Sequence, residues 1–238
     1  MVIGAIFAGG SGSRMGCSET PKQYLTLGEK PVILHTIEKF YKNAAIDKVL
    51  ILCPEQWVKP TCTLLEENFG QTDRIAVTTG GQDRNDTLDR ALCYTEQHFG
   101  LDDQTIIVTH DAVRPFVTQR IINENIASAK RNGACGTYIP ACDTIAESAD
   151  GKNVCFVPER GRMWQTQTPQ SFNVRKLQKT LAQLTPAQKA NLTDVCAVFT
   201  LQDEPVHIVC GEVFNLKITY PYDLPIANAL LAAGAGQE

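Results

Sequence analysis

The segment AGGSGSRMGCSETPKQ, residues 8–23, places Gly9, Gly10, Gly12 and Gly16 with two cations, Arg14 and Lys22, directly after an apolar run. Glycines there let backbone amides approach an anionic ligand without side-chain obstruction and permit the positive φ that such a turn needs. Two cations beside the cradle suit a phosphate; a purely structural glycine turn is the alternative. A second loop, GGQDRNDT (residues 80–87), offers Gly80 and Gly81 as room for a flat group and Arg84, Asn85, Asp86 and Thr87 where a helix begins. These are donors for a ligand, or simply a helix cap built on Asp83 or Asp86 with Arg84 solvated. In THDAVRPF (residues 109–116), Asp111 sits at a strand end, where a hard carboxylate suits Mg²⁺ held together with substrate phosphates. Imidazole is a poor Mg²⁺ ligand, so His110 reads as a packed or hydrogen-bonded core residue, while Arg114 before Pro115 braces the loop by pairing with a carboxylate.

Two common nucleotide motifs fit poorly. The Walker pattern requires G-K-[ST], which the loop lacks. GSGSRMG can be forced onto the dinucleotide fingerprint, but Pro21 and a polar run delay any helix until Pro31. The acidic residue expected about twenty positions later is also missing, since the second strand ends in Cys53-Pro54-Glu55. A catalytically silent nucleotide sensor is disfavoured as well, because affinity alone does not need Arg14, Lys22 and Asp111 together.

These residues need a scaffold that brings strand ends side by side. Continuous apolar runs at residues 2–8, 48–53, 74–79, 105–110 and 134–140 read as strands covered on both faces. Between them, residues 31–43, 57–69, 85–99 and 118–133 carry i, i+3, i+4 apolar spacing, with Thr118 placed to cap and Gly133 to terminate. Pro60 is awkward within the second helix, which is therefore expected to start there. The succession implies an α/β fold with a doubly wound, mostly parallel sheet, whose ligands sit beyond the C-terminal strand ends. Residues 141–165 lack helical period and read as a protruding, two-stranded arm of one domain spanning residues 1–238. Helices return at 174–184 and 187–202, then a strand at 206–211 and a helix at 223–234.

With 238 residues, 43% hydrophobic composition and net charge −4, the chain can bury one core and shows neither a nucleic-acid stripe nor an acidic tail. The opening apolar run is too short to span a membrane and lacks a basic flank, which implies a cytosolic location and a small-molecule partner. Nine cysteines, an odd number without a C-x-x-C pair and mostly within apolar runs, suit buried reduced thiols.

Taken in order, AGGSGSRMG, PKQYL, HDAVRPF, CDTI, QTQTPQSF, LTDVC and FNLKITYPYDL resemble the sugar-alcohol phosphate cytidylyltransferases over residues 3–230. The match is closer to the ribitol-5-phosphate branch, which serves cell-wall polymer (teichoic acid or capsule) synthesis, than to the 2-C-methyl-D-erythritol 4-phosphate branch of isoprenoid synthesis. The second branch usually carries an acidic residue after TD and a glutamate shortly beyond, whereas TDVCAVF has neither. Tyr220 departs from the small residue usual at its position. The resemblance implies a Rossmann-like nucleotidyltransferase fold and transfer of CMP from CTP to an alditol phosphate, with Mg²⁺. Arg14 and Lys22 would be the catalytic cations; Ala8, Gly9, Gly10, Gly12, Gly81, Arg84, Thr87 and Asp111 would bind the nucleotide, Asp111 also holding the metal. Thr144, Arg160, Thr168, Thr193 with Asp194, and Lys217 would face the acceptor. Arg160 would reach the neighbouring subunit's site on an exchanged dimerisation arm, making a homodimer.

Overall fold

A computed structural model describes residues 1–10, 15, 20–192 and 194–236. In chain order, β1 (Val2–Phe7) is followed by a 3-10 turn (Lys22–Tyr24), a small ribbon of β2 (Thr26–Leu27) and β3 (Lys30–Pro31), and α1 (Val32–Lys42). Next come β4 (Lys48–Cys53), α2 (Glu55–Phe69), β5 (Ile75–Thr79), α3 (Arg84–Tyr94), β6 (Ile106–Asp111), α4 (Gln119–Asn132) and β7 (Ala134–Pro140). The remainder adds β8 (Trp164–Asn173), α5 (Val174–Gln183), α6 (Pro186–Ala190), α7 (Ala197–Thr200), β9 (His207–Cys210) and α8 (Asp223–Ala232).

Seven strands form one sheet in the order β5-β4-β1-β6-β8-β7-β9, in which β8 alone runs antiparallel to its neighbours. The alternation of β1 explains why its run is apolar throughout. Val2 and Ile6 face a core shared with Ile33, Ile37 and Phe40 of α1 and Ile121 and Ile126 of α4. Ile3 and Ala5 face the opposite core, with Leu88 of α3 and Leu177 of α5. Both faces are covered, as a parallel sheet requires. From β1 the chain steps outward to β4 and β5, then returns to lay β6 on the other side of β1. The strand order therefore reverses between β1 and β6, and ligand crevices open at such a reversal.

Thr118 caps α4 through Ile121 N–H, and Gly133 ends it in the left-handed region at φ 85°. No helix among the described residues is long and apolar enough to cross a membrane.

Several expectations need correction. The second helix starts at Glu55 after Pro54, not at Pro60, which it accommodates within its own length. The 187–202 stretch is two short helices, α6 and α7, separated by a turn in which Asp194 Oδ1 accepts from Cys196 N at 2.7 Å. The arm ends at Met163, since Trp164 and Gln165 already belong to β8, and its pairing is a single bridge, Glu147 with Phe156. Of the eight described cysteines, all free, only Cys53, Cys135 and Cys196 are buried; Cys62, Cys93, Cys142, Cys155 and Cys210 are exposed. Cys210 shows the reason: its strand is the sheet edge, so an apolar run there is not enclosed.

Candidate active site

A cavity of about 380 Å³ opens at the β1–β6 junction, lined among others by Ala8, Gly9, Gly10, Lys22, Gly81, Arg84, Thr87, Asp111 and Lys217. Residues from four separated stretches of sequence thus converge at one place. Backbone bonds that continue past the strand ends fix its floor: Ala8 N–H donates to Leu52 O at 2.8 Å and Ala112 N–H to Phe7 O at 3.0 Å. Arg14, Gly12 and Thr193 lie outside the described residues.

On the β1 side, Gly9 and Gly10 are exposed to the cavity. Neither takes a positive φ, contrary to expectation. A Cβ on Gly10 would meet nothing within 4 Å among the described residues. Their contribution is therefore open backbone rather than a turn conformation unavailable to other residues. Pro21 leads into the 3-10 turn that buries Lys22, whose Nζ donates to Ile218 O at 2.8 Å. The next residue, Gln23, donates through Nε2 to Ala8 O at 2.5 Å and so ties the turn to the loop. Gln23 was visible in the PKQ motif but its role was not.

The second loop is closed from within. Asp83 caps α3, accepting from Asn85 N and Asp86 N. Thr87 Oγ1 accepts from Gly81 N–H at 3.0 Å and donates to Asp83 O at 2.6 Å, so its hydroxyl shapes the loop. Gly81 is needed for close approach, since a Cβ there would lie 2.4 Å from the Asp86 backbone carbon. Arg84 is not solvated: it crosses the cavity to Asp111.

Asp111 is the electrostatic centre. Its Oδ1 lies 2.6 Å from Arg84 Nη1, and its Oδ2 lies 2.9 Å from Lys217 Nζ and 3.6 Å from Arg114 Nε. Burial alone would raise this carboxyl, but the charges of Arg84, Lys217 and Arg114 outweigh it and hold the group well below the usual carboxylate range. Arg114 also donates to Asn215 O at 2.8 Å, bracing the segment that carries Lys217. Asn215, which opens the NLKIT motif and carries no chemical signal of its own there, donates in turn to Gln167 Oε1 and Thr168 O.

Behind Asp111 runs a buried relay. His110 Nε2 faces Arg114 O at 3.1 Å, a carbonyl that can only accept, so this nitrogen carries the proton. Nδ1 then accepts from the Thr168 hydroxyl at 3.0 Å, and Thr168 Oγ1 accepts from Asp111 N–H at 3.1 Å. Thr168 thus holds the Asp111 backbone, and His110 is a core residue as expected. Burial lowers the His110 pKa from 6.5 to about 4. Between those values the unfolded chain binds the proton and the folded chain does not, so stability rises with pH across that window and is fully present above it. The stability of the wild type, read by urea unfolding, should fall by roughly 3 kcal/mol between pH 6.5 and pH 4 from this group. His110→Gln should flatten that part of the profile.

Thr144 and Arg160 lie on the exposed arm, away from the cavity lining; Arg160 Nη1 donates to Cys142 O at 3.4 Å. Tyr220 points outward and stacks on Tyr222, ring centroids 5.6 Å apart.

For a divalent cation, Asp111 is the hard ligand the cavity offers. The other carboxylate there, Asp83, spends its Oδ1 on both cap bonds of α3, and no group of three His, Cys, Asp or Glu side chains forms a cage among the described residues. One carboxylate plus phosphate oxygens is a normal Mg²⁺ environment, so these residues fit an ion that arrives with a nucleotide.

A family model described as IspD, 2-C-methyl-D-erythritol 4-phosphate cytidylyltransferase, matches residues 2–233. The crystal structure of 4-diphosphocytidyl-2C-methyl-D-erythritol synthase from Anaerococcus prevotii is 27% identical, covering 97% of this chain and 96% of its own, with a TM-score of 0.78. The 2-C-methyl-D-erythritol 4-phosphate cytidylyltransferase of Francisella tularensis is 25% identical over 96% of this chain and 98% of its own, with a TM-score of 0.77.

Proposed function

The chain belongs to the 2-C-methyl-D-erythritol 4-phosphate cytidylyltransferase family, whose members are CTP-dependent nucleotidyltransferases, and we propose that the cavity at the β1–β6 junction joins CTP to an alditol phosphate. An oxygen of the acceptor phosphate forms a bond to the α-phosphorus. The bond from that phosphorus to the α,β-bridging oxygen breaks, and its electrons leave with pyrophosphate. A phosphate monoester is already largely anionic at neutral pH, so the site needs no strong base. It needs charge neutralisation, because two anions meet at a centre that gathers more negative charge.

The residues divide that work. Backbone at Gly9, Gly10 and Gly12 receives the triphosphate, while Lys22 and Arg14 of the same segment offset its charge. Gly81, Arg84 and Thr87 shape the nucleoside side. Asp111 would hold a divalent ion, which would supply charge neutralisation at the phosphates. Lys217 faces the acceptor phosphate, with Thr193 and, on the arm, Thr144 and a second copy's Arg160, while Thr168 supports Asp111 from behind. The arm supports that exchange: Val154, Phe156 and Val157 are 64%, 58% and 52% exposed, apolar surface that a second copy would cover. CTP and alditol phosphates are soluble, which fits a cytoplasmic enzyme.

The convergence of Lys22, Arg84, Lys217 and Asp111 on one cavity carries this reading. The family model and the two relatives favour 2-C-methyl-D-erythritol 4-phosphate as the acceptor, over the ribitol branch that the motifs resemble more closely. Ribitol 5-phosphate is a second reading, and one observation favours it. After Asp194 the chain continues with Val195 and Cys196, both buried in the core, where the isoprenoid branch usually adds an acidic side chain. Incubation with CTP, Mg²⁺ and each alditol phosphate separately tests both. Pyrophosphate released with methylerythritol phosphate alone supports the first reading, and with ribitol phosphate alone the second. No release with any alditol phosphate overturns the transferase reading.

A further inference from the structure

One side chain at the start of α3 does something the nucleotide-side reading does not use. Asn85 follows Arg84, yet its side chain turns away from the cavity and across to the segment between α5 and α7. Its Nδ2 donates to Lys189 O at 2.9 Å and to Leu192 O at 3.2 Å. Lys189 O lies in the last turn of α6, where it also accepts from Leu192 N at 3.2 Å, and Leu192 follows two residues past that helix. A single amide nitrogen with two hydrogens reaches both carbonyls and so ties the end of α6 to the chain beyond it.

The location gives the contact its meaning. Leu192 immediately precedes Thr193 and Asp194, the pair placed on the acceptor side. Leu192 and Val195 pack into the same core as Leu88 of α3, and Gln170 Nε2 holds Asp194 Oδ2 at 2.6 Å from the sheet side. The segment is therefore clasped between β8 and the first turn of α3, the turn that also presents Asp83 and Arg84 to the cavity.

We infer that Asn85 is a positioning residue: it latches the segment 186–196 to the nucleotide-side helix and sets the acceptor-side residues in register with the bound nucleotide. This rests on the transferase reading above for the identity of the acceptor side, but not for the latch itself. The latch requires an amide donor of this length. Aspartate is isosteric and favourable near a helix N-terminus, yet it has no donor and presents an anion to two carbonyls.

The test compares the full-length wild type with Asn85→Ala and Asn85→Asp in two measurements. Amide hydrogen exchange, without and with CTP, should show residues 186–200 exchanging about tenfold faster in both variants, with α4 and β6 unchanged. Steady-state kinetics with whichever alditol phosphate the wild type uses should show the acceptor KM raised about tenfold while the CTP KM stays within about twofold. Unchanged exchange in the segment overturns the latch, whatever the activity. A parallel rise in both KM values, or a fall in kcat alone, overturns the positioning role and leaves a merely structural bond. Absence of wild-type turnover with every alditol phosphate overturns the transferase reading and the acceptor half of the inference, while the exchange result still decides the latch.

Discussion

Lys22→Met should lower kcat by on the order of 10² to 10³ while leaving the protein folded. The side chain is 7% exposed, lines the cavity and directs Nζ to Ile218 O at 2.8 Å, so it is a preorganised, poorly hydrated cation beside the place proposed for the triphosphate. A fixed donor of that kind is worth about 3 to 4 kcal/mol of transition-state stabilisation, because it interacts most strongly where charge develops. Methionine keeps the aliphatic stem and its packing. Its structural cost includes a lost donor to the Ile218 carbonyl, about 1 kcal/mol, which alone lowers Tm by roughly 2–4 °C for a chain of this size. Near wild-type kcat in a folded Lys22→Met protein would remove this residue from the chemistry.

Asp111→Asn should be the most disruptive single change to the site. One carboxylate compensates Arg84, Lys217 and Arg114 at once, and Arg114 is itself 9% exposed. Leaving buried cations uncompensated costs roughly 3–5 kcal/mol, which equilibrium urea unfolding would read directly. The pH dependence has a definite sign. The folded Asp111 carboxyl lies well below its unfolded value, so its contribution is present above the ordinary aspartate range near 4 and is lost as pH falls through the folded value. In the Asp111→Asn protein that acid limb should disappear while the His110 slope above it persists. Turnover should fall by at least about 10², because the carboxylate proposed for the metal is gone and Lys217 and Arg84 lose their anchor. A variant with unchanged urea midpoint at pH 7 would show that the three ion pairs do not hold the site together.

Much of this was legible in the residues because chemistry and periodicity agreed. The runs at 2–8, 48–53 and 105–110 are apolar on both alternating faces, and they became the central strands that set Asp111 beside the glycine loop. Arg114 was expected to find a carboxylate and does. β8 was not legible as a strand. WQTQTPQSFN is polar and carries Pro169, which cannot donate to a ladder. From Gln167 to Ser171 its polar side chains are nonetheless buried, Thr168 against His110 and Gln170 against Asp194. The register with β7 jumps from Gly136 opposite Gln170 to Thr137 opposite Gln167, so Thr168 and Pro169 bulge out of the pairing. Burial satisfied by long-range polar partners leaves no hydrophobic period to detect. The pairing of Asp111 with Arg84 and Lys217 was hidden because those two lie far from it in sequence and meet it through the fold.

The central claim is that the β1–β6 cavity binds the triphosphate between the glycine backbone and Lys22. A crystal structure of the full chain with Mg²⁺ and a CTP analogue resistant at the α,β-bridge tests it directly. The expected result places phosphate oxygens within hydrogen-bond distance of Gly9 or Gly10 amides and of Lys22 Nζ, with the Asp111 carboxylate turned to the ion. Triphosphate bound away from that junction, or bound there with Lys22 still turned to Ile218 and touching no phosphate, would contradict it.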